Sequence, residues 1–286
     1  MRRRRFIGSG AALLASGAFA GAGWVRGAEG KSRVYIVHDR AYATLGRPPD
    51  VQAAAGMLEL LIRRLSGAAS GREGWRKILG NARTVGLKPN CLAGRGVSSS
   101  PQFVDALCRQ ITDSVPSVSR IVIWERSDRD LTGGGFEITT SGRVQCYGND
   151  RGGYSRDLVV EGSVGSLVSS VVLDTTDVLI NLPVLKDHGI VGLSVGMKNH
   201  YGAVHNPNKY HLNRGDPYVA DLNRLKVLRE KNVLTIVEAF TAQYEGGPAY
   251  RPQWSWPAGL VLASTDPVAL DRVSWRMIEA KRAEAG

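Results

Sequence analysis

The sequence contains few cysteines: Cys91, Cys108 and Cys146 are the three among 286 residues. No two of them form a C-x-x-C pair, which argues against the cysteine framework that stabilises many small secreted domains. An iron–sulfur cluster held by this chain alone requires about four thiolates, so such a cluster is excluded as well. Whether any pair of the three forms a disulfide is left open by the sequence.

The sequence also lacks a basic tail and a basic stripe interleaved with aromatic residues, although its formal net charge is +11. Four arginines at positions 2–5 account for part of that charge, so residues 21–286 carry +7. The remaining basic residues are spread along the chain, which argues against nucleic-acid binding and favours a small anionic partner. Beyond residue 20 we expect no membrane span, because no apolar run reaches the roughly 20 residues that a spanning helix needs.

Two nucleotide-binding motifs are missing from the chain. No G-x-G-x-x-G follows a strand pattern, and G-x-x-x-x-G-K-[ST] does not occur. These absences argue against a Rossmann dinucleotide site and against a P-loop.

The first 20 residues have the pattern of an export signal. The arginines at positions 2–5 precede Phe6 and a short apolar run at residues 11–15, and Ala18-Phe19-Ala20 offers a small-x-small cleavage site. This pattern predicts a twin-arginine signal over residues 1–20, cleavage near Ala20 and a periplasmic protein; an ordinary secretory signal is the alternative. Residues 21–32 are then a flexible linker, and residues 33–286 a single α/β domain.

Strand and helix patterns alternate along residues 33–286. Residues 51–65 place apolar side chains at helical spacing, Ser100-Pro101 begins a helix that runs to about Asp113, and Asp266-Pro267 begins a last helix that runs through Lys281. The strand patterns between them are apolar throughout, which predicts an α/β fold with a mainly parallel sheet and helices on both faces. Residues 133–165, rich in glycine and serine, are predicted to form an irregular or β-rich insertion. The predicted strands are residues 33–38, 84–87, 120–124, 177–182, 233–237 and 259–263.

Polar side chains follow five of these strands. Ligands in open α/β sheets bind beyond the carboxyl ends of the strands, so we expect the side chains at these ends to line a common pocket. In chain order they are Lys88, Asn90, Glu125, Asn181, Lys186, His188, Glu238 and Asp266.

Four of the five histidines lie between positions 188 and 211. Imidazole is a ligand for zinc, copper, iron and nickel, so His188, His200 and His205, together with Asp221, are the predicted ligands of a transition metal. None of them has the H-x-x-x-H spacing of a zinc-binding helix, so the metal stays unnamed. The alternative is that the histidines hydrogen-bond loops around a ligand without touching a metal.

The lysines of this region indicate a bound anion and a proton-transfer role. A desolvated lysine among like charges has a lowered pKa and can act as a base, while a histidine gives or accepts a second proton. The alternatives are that the lysines extend towards solvent, and that Asp266 caps the last helix. The predicted catalytic residues are Lys186, His188, Lys198 and His200, and the predicted ligand-binding residues are Lys88, Asn90, Glu125, Asn181, Asn199 and Asp266.

Four motifs occur in the order of a known family: KPN (residues 88–90), DVLINLPVLKDH (177–188), GMKNHYG (196–202) and STDPVALD (264–271). Over residues 33–282 the chain resembles the family called "domain of unknown function 362", which implies an α/β fold but no established activity. Some relatives carry ferredoxin-like cluster motifs, which this chain lacks. A fainter similarity links His188 and residues 189–198 to the sugar-acid and lactate racemases with a nickel-pincer cofactor, in which a lysine and histidines hold the cofactor and transfer protons.

These patterns predict an exported enzyme that uses the lysine and histidine cluster, with or without a metal or a metal-containing cofactor. Its reaction would be proton transfer or metal-assisted chemistry on a small anion. The alternative is a non-catalytic periplasmic protein that binds a metal, a cofactor or an anion. An enzyme should present at least two ionisable groups to one enclosed cavity, with room between them for a substrate.

Overall fold

The computed structural model of the protein describes residues 32–42 and 49–286. The predicted export signal, and nearly all of the predicted linker, lie outside the described residues. Export, periplasmic localisation and the predicted domain boundaries stay predictions.

The structure has eleven strands and nine α-helices among the described residues. The strands are β1 (Tyr35–His38), β2 (Thr84–Pro89), β3 (Arg120–Glu125), β4 (Val144–Gly148), β5 (Val159–Glu161), β6 (Val164–Ser166), β7 (Val178–Leu182), β8 (Val184–His188), β9 (Gly192–Leu193), β10 (Asn232–Gln243) and β11 (Ser255–Ser264). The helices are α1 (Val51–Ser66), α2 (Gly71–Leu79), α3 (Pro101–Ser114), α4 (Asp128–Gly134), α5 (Asn149–Gly152), α6 (Gly196–Asn199), α7 (Tyr218–Arg224), α8 (Lys226–Lys231) and α9 (Pro267–Ala285). Short 3-10 turns lie at Arg40–Tyr42, Gly94–Gly96, His200–Ala203, Pro207–Gly215 and Pro252–Trp254, and a π turn lies at Val171–Thr175.

The main sheet follows the strand order β1-β11-β10-β7-β2-β3-β4. From β10 to β4 every neighbouring pair is parallel, whereas β11 pairs antiparallel with both β10 and β1. After β7, the chain continues into β8, which also pairs parallel with β10. The predicted α/β fold with a mainly parallel sheet is therefore confirmed.

Both faces of the sheet are covered. Ile121 and Ile123 of β3 pack against the layer of α1, α2 and α3, while Val122 and Trp124 of the same strand pack in an opposite cluster. On that opposite side, α9 packs over Leu185 and neighbouring strand residues. Because alternate side chains are buried on opposite faces, the strands read as continuously apolar in the sequence.

The helices begin where the sequence predicts. The Ser100 hydroxyl accepts from the Phe103 N–H at the start of α3, and the Asp50 carboxylate accepts from the Ala53 N–H at the start of α1. Both side chains satisfy N–H groups that have no partner inside their helix.

Residues 133–165, predicted as an insertion, contain one strand of the main sheet. Ile121 of β3 pairs with Val144, so β4 forms the edge of the sheet, and only β5 and β6 form a separate two-stranded unit. The sequence pattern missed β4 because this edge strand is only partly buried and mixes polar with apolar residues.

The structure bears on the question of a disulfide, which the sequence left open, and on the expectation that no membrane span follows residue 20. Cys91, Cys108 and Cys146 are buried and unbridged. Within residues 32–42 and 49–286, none of the helices combines the length and apolar character that crossing a bilayer requires.

Candidate functional site

A buried ion pair joins the ends of β2 and β3. The Lys88 ammonium donates to Oε1 of Glu125, and the two side chains are 1% and 7% exposed. Lys88 Nζ also donates to the Pro89 carbonyl oxygen at 2.7 Å and lies 5.5 Å from the centre of the Trp124 ring. Only glycine fits at position 202, because a Cβ there would lie 2.6 Å from Cε of Lys88. Two adjacent parallel strands thus place opposite charges side by side at the edge where such sheets bind ligands.

Asn199, the last residue of α6, ties the neighbouring strand ends together. Its Nδ2 donates to the Lys88 carbonyl oxygen at 3.1 Å and to Oδ1 of Asn181 at 2.8 Å. Its Oδ1 accepts from Nδ2 of Asn90 at 3.0 Å. The Asn181 amide in turn donates to the Gly196 carbonyl oxygen at 2.7 Å. Since donors and acceptors are both engaged, the orientation of the Asn199 side chain is fixed.

Lys186 lies at the centre of this network with no exposed surface. Its Nζ donates to Oδ1 of Asn90 at 2.9 Å and to the Val97 carbonyl oxygen at 3.2 Å. No carboxylate among the described residues forms an ion pair with it. Burial lowers the pKa of Lys186 to about 7, because the charged form is desolvated.

A cavity of about 390 Å³ opens beside the network, and Lys198 lines it. Lys198 Nζ forms no hydrogen bond or ion pair with any described residue, and it lies 3.7 Å from the centre of the Tyr201 ring. Burial, followed by the nearby charges of Lys186 and Lys88, lowers the pKa of Lys198 to about 7, against the opposing effect of Glu125. Near neutral pH the side chain therefore exists in both its basic and its acidic form.

His188 lines the same cavity as a neutral imidazole. Its Nδ1 accepts from the N–H groups of Ile190 and Val191, both at 3.3 Å, so its single proton lies on Nε2. Burial, followed by the charge of Lys198, lowers the pKa of His188 to about 3. The ring stacks on His211, with 5.3 Å between the ring centres. His188 can thus donate a hydrogen bond but is a poor proton carrier near pH 7.

His200 is buried behind the cavity and is not among its lining residues. Its Nδ1 lies 2.7 Å from Oδ1 of Asn223, whose Nδ2 donates to the carbonyl oxygens of Met197 and Val219. The Asn223 Oδ1 must therefore accept, which puts the imidazole proton on Nδ1 and leaves Nε2 buried without a partner. Burial lowers the pKa of His200 to about 4.

The turn that carries Lys198 and Asn199 is held from α9. The Asp271 carboxylate accepts from the N–H of Gly196 at 2.7 Å and from the N–H of Met197 at 3.0 Å. Burial raises the pKa of Asp271 to about 7, in spite of these two hydrogen bonds. The pattern of α9 as a helix gave no sign that this residue contacts the site.

Three predicted site residues lie apart from this network. His205 is exposed and packs edge-to-face on Tyr154, with 5.2 Å between the rings. Asp221 accepts from the Ser163 N–H at 2.8 Å, and Asp266 caps α9 by accepting from the N–H of Val268 at 2.9 Å and of Ala269 at 3.0 Å. Asp266 thus has the capping contacts of the alternative interpretation, and it does not line this cavity.

The predicted metal ligands His188, His200, His205 and Asp221 do not form one coordination set. Among the described residues, no group of three His, Cys, Asp or Glu side chains is placed to hold a metal ion. In this arrangement the four side chains do not supply the converging ligand set of a transition-metal site. Metal ligation stays a prediction.

Ser194 lines the cavity and was not among the predicted site residues. A sequence motif that indicates this residue is present, because Gly192-Leu193-Ser194-Val195-Gly196 matches the nucleophile pattern G-x-S-x-G. However, Ser194 lacks the positive φ of a strained nucleophile elbow, and none of the described histidines is hydrogen-bonded to its hydroxyl. It therefore adds a hydroxyl donor to the cavity wall rather than an activated nucleophile.

Comparisons with known proteins give a family and a structural similarity. The profile of the family described as "Domain of unknown function (DUF362)" matches residues 85–276. No curated protein matches the sequence. A crystal structure of a Thermotoga maritima protein is similar with a TM-score of 0.45 and 11% identity, over 73% of this chain. The match spans 58% of the Thermotoga chain.

Proposed function

This protein belongs to the family "Domain of unknown function (DUF362)", and we propose that it is an enzyme that transfers a proton on a small anionic substrate. Lys198 acts as the base, and the neutral His188 donates a hydrogen bond to the negative charge that develops on the substrate. The export signal expected at residues 1–20 forms part of the proposal and would make this a periplasmic reaction.

The observation that carries the proposal is the state of Lys198. Its Nζ lines a cavity, has no hydrogen-bonding or ionic partner among the described residues, and has a pKa near 7. A base is most effective when its pKa is close to the working pH, because it is then both available and strong enough. Lys186 has a pKa in the same range, but its Nζ already donates hydrogen bonds to the Asn90 side chain and to the Val97 carbonyl oxygen.

The charge balance favours an anion as substrate. Three lysines, Lys88, Lys186 and Lys198, meet around the cavity, and one carboxylate, that of Glu125, forms an ion pair with one of them. A bound carboxylate or phosphate would supply a counter-charge that the described residues do not provide. Leu92 and Ile190 line the mouth of the same cavity and are each 53% exposed, so an apolar part of the substrate would cover them.

The proposed chemistry has two parts. Neutral Lys198 removes a proton from carbon next to a carbonyl or carboxylate, and the pair of electrons moves onto the substrate oxygen. The Nε2–H of His188 donates to that oxygen without transferring its proton, since a pKa near 3 leaves the ring neutral throughout. The proton on Lys198, or one that Lys198 has taken from solvent in exchange for it, is then returned to carbon as the electron pair moves back from the oxygen.

The experiment measures deuterium uptake from D2O into small carboxylates with an acidic C–H group, followed by NMR. We expect the wild-type protein to label at least one of them and Lys198→Ala to slow labelling by about 10²-fold or more. Lys198→Arg keeps the positive charge but is no base near pH 7, so it should bind the anion and fail to label it. Lys226→Ala, at an exposed lysine on α8, is the matched control and should label normally.

The second candidate is an anion-binding protein without turnover, favoured by the same three buried or half-buried ammonium groups. In that case calorimetry with the same carboxylates would show binding by the wild type and by Lys198→Arg, while no carboxylate would exchange its hydrogen. Exchange at the wild-type rate in Lys198→Ala would contradict the proposed role of the lysine.

A further inference from the structure

A second cavity, of about 420 Å³, is lined by Val97, whose carbonyl oxygen accepts from Lys186. Val184, the first residue of β8, lines the second cavity, and His188, the last, lines the first. Lys186 lies between them and bonds to Asn90 of the first cavity and to Val97 of the second. Lys186 thus contacts a lining residue of each cavity, and the second cavity is independent of the function proposed for the first.

The second cavity contains a buried carboxyl group without a cation. Glu238 on β10 is 5% exposed, and its Oε2 accepts from the Ser100 N–H at 2.9 Å. The Ser100 side chain also hydrogen-bonds to this carboxyl group, and among the described residues no lysine, arginine or histidine forms an ion pair with it. Burial raises the pKa of Glu238 to about 8, and no neighbouring charge contributes to the shift. A buried carboxylate is costly unless a cation or hydrogen-bond donors compensate it.

Two oxygens beside the cavity have no hydrogen-bond partner in the part of the chain that the structure describes. Ser98 Oγ and Gln102 Oε1 are buried without a hydrogen bond, and both residues line the same cavity as Glu238. Buried polar atoms in native proteins nearly always have a partner, which is protein, water or ligand. Phe240 and Val184 supply apolar walls on the remaining sides.

We propose that the second cavity binds a small molecule that carries a primary ammonium group, with Glu238 as its counter-ion. An ammonium has three N–H donors, and the oxygens of Glu238, Ser98 and Gln102 are the acceptors that this cavity offers. A divalent metal would want several anionic oxygen ligands, whereas this cavity offers one carboxylate. The positive charge of Arg95 would repel a bound ammonium group. However, Arg95 lies exposed at the rim of the cavity, where water and salt screen its charge.

The test compares propylammonium chloride with 1-propanol, which has nearly the same shape and no charge. Ligand-observed saturation-transfer NMR gives the affinity of each for the wild type and for Glu238→Gln, in which the amide oxygen can still accept from the Ser100 N–H. We expect saturable binding of propylammonium by the wild type and at least tenfold weaker binding by Glu238→Gln. Glu137→Gln, at an exposed glutamate, is the control and should match the wild type.

Equal binding of 1-propanol and propylammonium would overturn the proposal, and so would an unchanged affinity in Glu238→Gln. Sodium chloride at the same concentration separates specific binding from a general salt effect. If Glu238→Gln does not fold, Ser98→Ala and Gln102→Leu test the same site, since each removes one proposed acceptor. Neither the probes nor these variants involve Lys198, so failure here leaves the proton-transfer proposal to be judged by its own experiment.

Discussion

Lys88 and Glu125 show why single residues at this site are sensitive to substitution. Both side chains are buried, and they compensate each other's charge at the ends of adjacent strands. The net contribution of such a pair is small, because desolvation offsets most of the attraction between the charges. Removal of one partner is costly, since it leaves the other charge buried alone.

We therefore expect Glu125→Gln to lower the free energy of unfolding by about 3–5 kcal/mol. The double variant Lys88→Met with Glu125→Leu should recover most of that loss, because no uncompensated charge is left. Urea unfolding followed by circular dichroism measures both. Glu230→Gln, which breaks the exposed pair of Lys226 and Glu230, is the matched control and should cost no more than about 1 kcal/mol. A loss equal to that of the control would show that the buried pair has no such role.

The sequence was enough to predict which residues lie at the strand ends. It was not enough to predict the ion-pair or hydrogen-bond partner of each one. Lys88, Asn90, Asn181 and Lys186 follow apolar strands, and the parallel sheet brings them together. No local pattern tells which lysine forms an ion pair with Glu125 and which forms none with the described residues, because that depends on contacts between residues far apart in the chain. For the same reason the unprotonated Nε2 of His200 could not be foreseen: Asn223, which lies 23 residues further along the chain on α7, fixes its tautomer.

At the scale of elements, the short α6 turn is positioned by a helix at the other end of the chain. The Asp271 carboxylate accepts from the first two N–H groups of the turn that carries Lys198 and Asn199. Four residues form too short a helix to hold their own conformation. The site thus depends on α9, although α9 contributes no residue to the lining of the first cavity.

We expect Asp271→Ala to weaken the binding of small carboxylates at least fivefold and to lower the free energy of unfolding by about 1–3 kcal/mol, because two N–H donors lose their acceptor. Asp271→Asn keeps one acceptor oxygen and should recover part of both losses. Calorimetric titration and urea unfolding measure the two effects. A variant that is destabilised but binds with unchanged affinity would show that Asp271 supports the fold without positioning Lys198.

For the molecule as a whole, the buried ionisable groups predict an unusual dependence of stability on pH. Lys186 and Lys198 have pKa values near 7 in the folded protein against 10.5 as the ordinary value. The unfolded chain therefore binds more protons than the folded one between those values, so stability rises with pH across that window. Glu238 and Asp271, with pKa values raised to about 8 and 7, act in the opposite direction and offset the rise below about pH 8.

The cysteines limit the pH range over which the stability of the protein rises. Burial raises the pKa values of Cys108 and Cys146 to about 12, and that of Cys91 well above 9.0. Above pH 9 the unfolded chain loses thiol protons that the folded chain keeps, so stability falls again. We expect a maximum near pH 9, measured by urea unfolding under reducing conditions. Lys198→Met should flatten the rise between pH 8 and pH 9, and a wild-type maximum at or below pH 7 would contradict these assignments.

The fold was more predictable than the site, for a physical reason. The continuous apolar strands and the capped helices are local patterns, so the sequence indicated the parallel sheet and the starts of α1, α3 and α9. The partly buried edge strand β4 lacks such a pattern and was assigned to an insertion. Side-chain partners such as Asn223 and Asp271 depend on packing between distant segments, which no local pattern encodes.

The pairing of β1 with β11 has a consequence for how the molecule is made. Tyr35 is opposite Ala263, so the strand nearest the start of the described chain finds its neighbour close to the other end. When only the first two hundred residues have been synthesised, neither β10 nor β11 exists yet. These two strands lie between β1 and β7 in the main sheet. The β1 edge of the sheet can therefore form only after β11 has been synthesised. A translation product that stops before residue 255 lacks the strand with which β1 pairs.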